Sequence, residues 1–165
     1  MRNQLKRELE FLGDHIALVI LAAFLASVGG VLLWINGGSS WYFIRYGASG
    51  VPLGVIFSVW CITYALAGAS AALIWLVYSD GRCGYKKALP LFSVAALSYL
   101  FMLVWYAVFF CTRLNVFAAV ILILSCVADI FLFVSMRRTM LTFEAATVVV
   151  FVVQTYFVYF SFVSP

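Results

Sequence analysis

The sequence predicts an all-α membrane protein, a five-transmembrane-helix bundle, and two observations carry that prediction. Five runs of roughly twenty apolar residues fill the chain almost end to end. A hydrocarbon core about 30 Å thick takes about 20 residues at 1.5 Å rise each to cross as a helix. Hydrophobic residues make up 67% of the 165 and charged residues only 10%, which leaves too little polar surface to coat a water-soluble fold. That length gives one membrane domain, residues 1–165, with no connection long enough to fold alone.

The first run covers residues 16–35. Its approach carries Glu8, Glu10 and Asp14, and its apolar stretch exceeds the 7–15 residues of a signal-peptide core, so it reads as a retained helix. The amphipathic start, Leu5 to Leu12, is expected to lie along the inner interface before the chain turns in. Asn36-Gly37-Gly38-Ser39-Ser40 then breaks the helix. The following Trp41-Tyr42-Phe43-Ile44-Arg45-Tyr46 is aromatic with a single cation and belongs at the outer interface, where rings with a polar tip are favoured.

The second run covers 51–78, entered past Pro52, and the third covers 88–111. A tight hairpin at Thr112-Arg113-Leu114 leads into the fourth, 115–136, and the fifth covers 141–163. Small residues recur at packing intervals: Ala22, Ala26 and Gly30 in the first span, Ala65 with Ala69 and Gly68 with Ala72 in the second. Such rows let helix backbones approach closely where lipid offers no hydrophobic drive. They suit either the bundle itself or a homodimer.

The sequence pI is near 9.0, yet the cations follow topology. Arg2, Lys6 and Arg7, then Arg82, Lys86 and Lys87, then Arg137 and Arg138 share one face, leaving only Arg45 and Arg113 on the other. The positive-inside rule reads this as an inner N-terminus and an outer C-terminus, as in a bacterial plasma membrane. Membrane lipids are the expected surroundings, and no nucleic-acid partner is expected. Cys61, Cys83, Cys111 and Cys126 form no C-x-x-C pair and read as small buried thiols.

Asp129 is the single acidic side chain deep in a span, roughly 12 Å from the inner end of the fourth. A central carboxyl costs about 2.5–3.5 kcal/mol on insertion scales, so it should face the bundle and find a partner. Ser125 and Cys126 lie one turn before it, and depth counting puts Ser70, Ser98 and Thr147 within reach. It reads either as a ligand or proton site, or as a hydrogen-bonded carboxyl that fixes helix rotation. Glu144, Thr147, Phe151, Gln154, Val158 and Ser161 form one face of the fifth span, which should also look inward.

His15, the single histidine, sits at the inner mouth of the first span. No cluster at ligand spacing suggests a metal, and no cofactor is expected. No nucleophile elbow, zinc-protease helix or phosphate loop is present, so the chain does not read as an enzyme.

The second span carries Pro52, then Val59-Trp60-x-x-x-Tyr64-x-x-x-Gly68, then Leu73-Ile74-Trp75. This resembles the TspO/translocator protein family, the tryptophan-rich sensory proteins or peripheral benzodiazepine receptors. Trp41-Tyr42 stands upstream at nearly the family distance, and Trp105-x-x-x-Phe109-Phe110 with Arg113 and Ala118 follows the family pattern downstream. The resemblance runs from Trp41 to the C-terminus. The chain departs from the family in three places: a proline-poor loop at Tyr46–Pro52, Ser98 and Met102 where members carry Gln and Asn, and an apolar stretch over 148–153 in place of Pro-Tyr-x-x-Trp. It resembles a divergent member.

The resemblance implies a five-helix bundle that binds a porphyrin-like or other lipid-like flat amphipathic molecule under the outer loop, for sensing or transport. On that reading Trp41, Tyr42, Trp60, Tyr64 and Trp105 line or cap the pocket. Arg45 supplies a cation for a propionate at the rim, an inference from its charge. The family's sterol signature in span five is missing, since no Lys or Arg follows Arg138. Two other readings stay open: a membrane assembly subunit without a ligand cavity, and a proton-coupled carrier using Asp129.

Overall fold

A computed structural model describes residues 2–36, 52–81, 84–136 and 141–163. Among these the chain forms α1 (Arg2–Asn36), α2 (Leu53–Ser79), α3 (Tyr85–Tyr106), a π-helical turn (Ala107–Thr112), α4 (Asn115–Met136) and α5 (Leu141–Val163). Five helices are long and apolar enough to cross a membrane. The protein is an all-α five-helix bundle and an integral, multi-pass membrane protein. Trp41, Tyr42 and Arg45, three of the expected binding residues, lie outside the described residues.

Helix α1 departs from the sequence expectation. It is one uninterrupted helix from Arg2 to Asn36, with no turn between Leu5–Leu12 and the apolar run that follows. Glu8 is buried, and Phe11 and Leu12 pack on the inner core. Those two apolar contacts tie the start of α1 to the bundle and give the helix no reason to break there.

Helices α2, α3, α4 and α5 close a ring in which α2 meets both α3 and α5, while α4 meets both from the other side. Helix α1 lies outside this ring, against α2, and presents Ile20, Phe24 and Leu25 outward. Those apolar faces need a hydrocarbon solvent. The small residues explain the close α1–α2 contact. A Cβ added at Gly68 would stand 2.5 Å from the Ala22 carbonyl oxygen and 2.6 Å from the Ala26 Cβ, and one at Gly30 would collide with the Tyr64 ring. The row Ala22-Ala26-Gly30 thus serves the bundle. Tyr99 Oη fastens α1 to α3 by donating to the Ala26 carbonyl at 2.6 Å.

The ring's interior is layered. One apolar cluster gathers Trp60, Tyr64, Trp105, Phe109 and Phe157 toward one end. Another gathers Leu73, Val77, Leu91, Leu132 and Phe143 toward the other. Ser70, Ser98, Asp129 and Thr147 stand between them along their helices, all buried.

The end of α3 widens. Residues 107–112 form a π-helical turn, and Arg113 follows with φ 61°, a left-handed conformation that reverses the chain before α4. The tight hairpin expected there is present. Cys111 is exposed and Cys61 half-buried, so among the described thiols only Cys126 is buried as expected, and Cys83 lies outside the described residues. Cys111 emerges where the turn leaves the bundle, which removes it from the packed interior.

Candidate functional site

Two constellations stand out, one aromatic and one polar. The aromatic one draws on α2, α3 and α5. Trp60 and Tyr64 sit one helical turn apart on α2 and project from one face, while Trp105 lies at the end of α3 and Phe109 in the π-helical turn that follows. Trp60 stacks on Trp105 with centroids 4.6 Å apart and planes at 27°. Phe109 continues the stack on Trp105 at 5.3 Å, and Phe157 of α5 closes on Trp60 at 5.0 Å. Trp60, Tyr64 and Trp105 have no exposed surface. Each such ring pair contributes about 0.5–1.5 kcal/mol beyond area burial.

The polar tips of these rings have distinct fates. Trp105 Nε1 donates to Ser161 Oγ at 3.1 Å, and Tyr64 Oη donates to the Met102 carbonyl at 3.3 Å. Trp60 Nε1 is buried and has no acceptor. A buried donor without a partner costs about 1–3 kcal/mol, so this N–H marks a place where an acceptor would be stabilising.

The polar constellation centres on Asp129 of α4. Ser98 Oγ donates to Asp129 Oδ1 at 2.8 Å and lies 3.0 Å from Ser125 Oγ. Ser125 Oγ reaches the Ser98 carbonyl at 3.1 Å, and Gln154 Nε2 donates to Ser125 Oγ at 3.0 Å. Three helices are therefore tied through one hydroxyl pair. Asp129 Oδ2, Gln154 Oε1 and Ser70 Oγ are buried without a hydrogen-bond partner. Thr147, Gln154 and Ser161 of α5 all point inward, the orientation the polar face of that span predicts.

Asp129 borders two spaces. A void of about 20 Å³ inside the ring is lined by Ala67, Ser70, Ala95, Ser98, Asp129, Leu132, Thr147 and Val150. An apolar groove of about 200 Å³ between α4 and α5 is lined by Asp129, Ile130, Phe133, Thr147, Val148 and Phe151. No group of three His, Cys, Asp or Glu suited to a metal occurs among the described residues. His15 Nδ1 donates to the Phe11 carbonyl at 3.0 Å within its own helix.

No family model and no curated protein sequence matches the chain.

The expected site residues thus fall into two groups. Trp60, Tyr64 and Trp105 converge in one cluster, while Asp129 belongs to the separate polar layer. Sequence reasoning passed over Phe157, which contacts both tryptophans. Its depth from the outer end of α5 is close to that of Trp60 on α2, and the depth count that places Ser98 opposite Asp129 would have found it. The pairing of Gln154 with Ser125 had no comparable signal, because periodicity fixes a face but not which of several polar neighbours a flexible amide reaches.

Proposed function

We propose that this chain is a small-molecule binding protein of the TspO type, for sensing or transport, that takes a flat, amphipathic, porphyrin-like ligand among the aromatic residues below its outer loop. The observation that carries this reading is the buried Trp60 Nε1 without an acceptor, set among Tyr64, Trp105 and Phe157. A flat π-system with an acidic edge matches both features: it stacks on indole faces and offers the missing acceptor. Because Trp60 lies directly on Trp105, the ligand must part these two rings on entry, with the indole stack as its stand-in when it is absent. The protein is not an enzyme on this reading. On this reading its basic inner face orients it with the N-terminus inside, in a bacterial plasma membrane, and its span-two motif resembles that of a divergent member of that family.

The test is a titration of the detergent-purified protein with protoporphyrin IX, followed by tryptophan fluorescence, with Trp60→Phe and Trp105→Phe alongside. Saturable quenching near one-to-one, weakened in both variants, supports the pocket. Quenching that never saturates, or that ignores both substitutions, reports partitioning into the detergent micelle and rejects it.

A second reading has its own observation. Rings stacked at 4.6 Å leave no slot between them, which suits an assembly subunit whose aromatics are plain core. The same titration separates the two.

A further inference from the structure

We propose that the void beside Asp129 is a binding site for a single dehydrated monovalent metal cation, Na⁺ or K⁺, held by one oxygen-bearing side chain from each helix of the ring. The four are Ser70 of α2, Ser98 of α3, Asp129 of α4 and Thr147 of α5. This site is separate from the aromatic cluster, and neither reading depends on the other.

Three features converge on a cation. The void measures about 20 Å³, room for about one water-sized sphere and nothing larger. Its polar lining consists of one carboxyl and three hydroxyls, with no Lys, Arg or His among the lining residues. Hard monovalent and divalent cations take oxygen ligands of this kind. Finally, Asp129 Oδ2 and Ser70 Oγ, on residues 4% and 6% exposed, have no hydrogen-bond partner. Both residues line the void.

Charge separates the two possible occupants, a cation beside a carboxylate and a water beside a protonated acid. A carboxyl at this depth is neutralised either by its own proton or by a bound cation, and the lining supplies no positive side chain. A metal cation in the void supplies that charge and satisfies both orphan oxygens together. Ala67 and Ala95, each one helical turn before a lining serine, are short enough to leave the space open. Ser98 Oγ already donates to Oδ1, which directs its proton away and leaves a lone pair for the ion.

The experiment is thermal unfolding of the full-length protein in neutral detergent, at fixed pH and constant ionic strength, with choline chloride replaced stepwise by NaCl or KCl. The expected result is a Tm that rises with the logarithm of one metal cation's concentration and does not respond to choline, as ligand linkage requires. Whichever salt acts identifies the ion. Asp129→Asn abolishes the response, and Ser70→Ala shifts its midpoint to about tenfold higher concentration, the effect of one lost ligand to a charged group. Ser93→Ala, at an exposed hydroxyl away from the void, leaves the midpoint in place. Identical unfolding in all three salts would mean that the void holds water and Asp129 a proton, and overturns the proposal. So does a response that survives Asp129→Asn unchanged. If Asp129→Asn does not fold, an unmoved midpoint in Ser70→Ala overturns it alone.

Discussion

Ser98 Oγ and Asp129 Oδ1 meet at 2.8 Å across the α3–α4 interface, and the same hydroxyl lies against Ser125, which in turn accepts from Gln154. One serine therefore stands at the junction of three helices. Ser98→Ala should destabilise the bundle by about 1–2 kcal/mol, the upper range for interhelical hydrogen bonds in membranes. Ser93→Ala, at an exposed hydroxyl that bonds only within its own helix, should change stability by less than about 0.5 kcal/mol. Reversible unfolding in mixed micelles measures both, and equal effects would show that the network carries no special weight.

The contact of Gly68 with α1 gives a second prediction. Because an added Cβ meets a backbone carbonyl at 2.5 Å, the helices must separate to admit even alanine. Gly68→Ala should cost about 1–3 kcal/mol, whereas Gly54→Ala, where a Cβ meets nothing within 4 Å, should be neutral or slightly stabilising through helix propensity. The same unfolding assay ranks them.

Trp105 combines stacking with a hydrogen bond, and the two can be separated. Trp105→Ala removes both and should cost about 3–5 kcal/mol. Ser161→Ala removes only the acceptor of the indole N–H and should cost about 1 kcal/mol. If Ser161→Ala matched Trp105→Ala, the stack with Trp60 and Phe109 would contribute nothing.

Topology is open to chemical labelling. Cys111 is exposed at the end of the π-helical turn, whereas Cys126 is buried. With the N-terminus inside, a membrane-impermeant maleimide applied to intact cells should modify Cys111 and leave Cys126 untouched. Protection of Cys111 until the cells are lysed would invert the orientation.

Much of this architecture was legible before any coordinates. A fixed rise per residue turns apolar length into a span, so residues 115–136 and 141–163 coincide with α4 and α5. The same rise makes depth countable, which is why Ser98 and Thr147 stand beside Asp129 as expected. Rotation about each axis is less legible. The small-residue rows fit bundle or homodimer equally until Gly68 is found on Ala22. The unbroken start of α1 is equally hard to read, because amphipathic periodicity cannot tell a headgroup surface from the flank of a neighbouring core. The stacking of Trp60 on Trp105 was hidden for a related reason: aromatic motifs specify which rings gather, and close packing decides whether space remains between them.

The π-helical turn at residues 107–112 has a genealogical consequence. A π-turn is in effect an α-helix with one residue too many, and elsewhere such an insertion would rotate every later side chain by about 100°. Here Arg113 reverses the chain immediately afterwards, so the phase error ends before α4 begins. Evolution could therefore add or delete a residue at this point, re-aiming Phe109 and Phe110 against the tryptophan stack, while Asp129 and its partners kept their register. A change of length at this turn therefore reaches the aromatic constellation and leaves the polar one where it is.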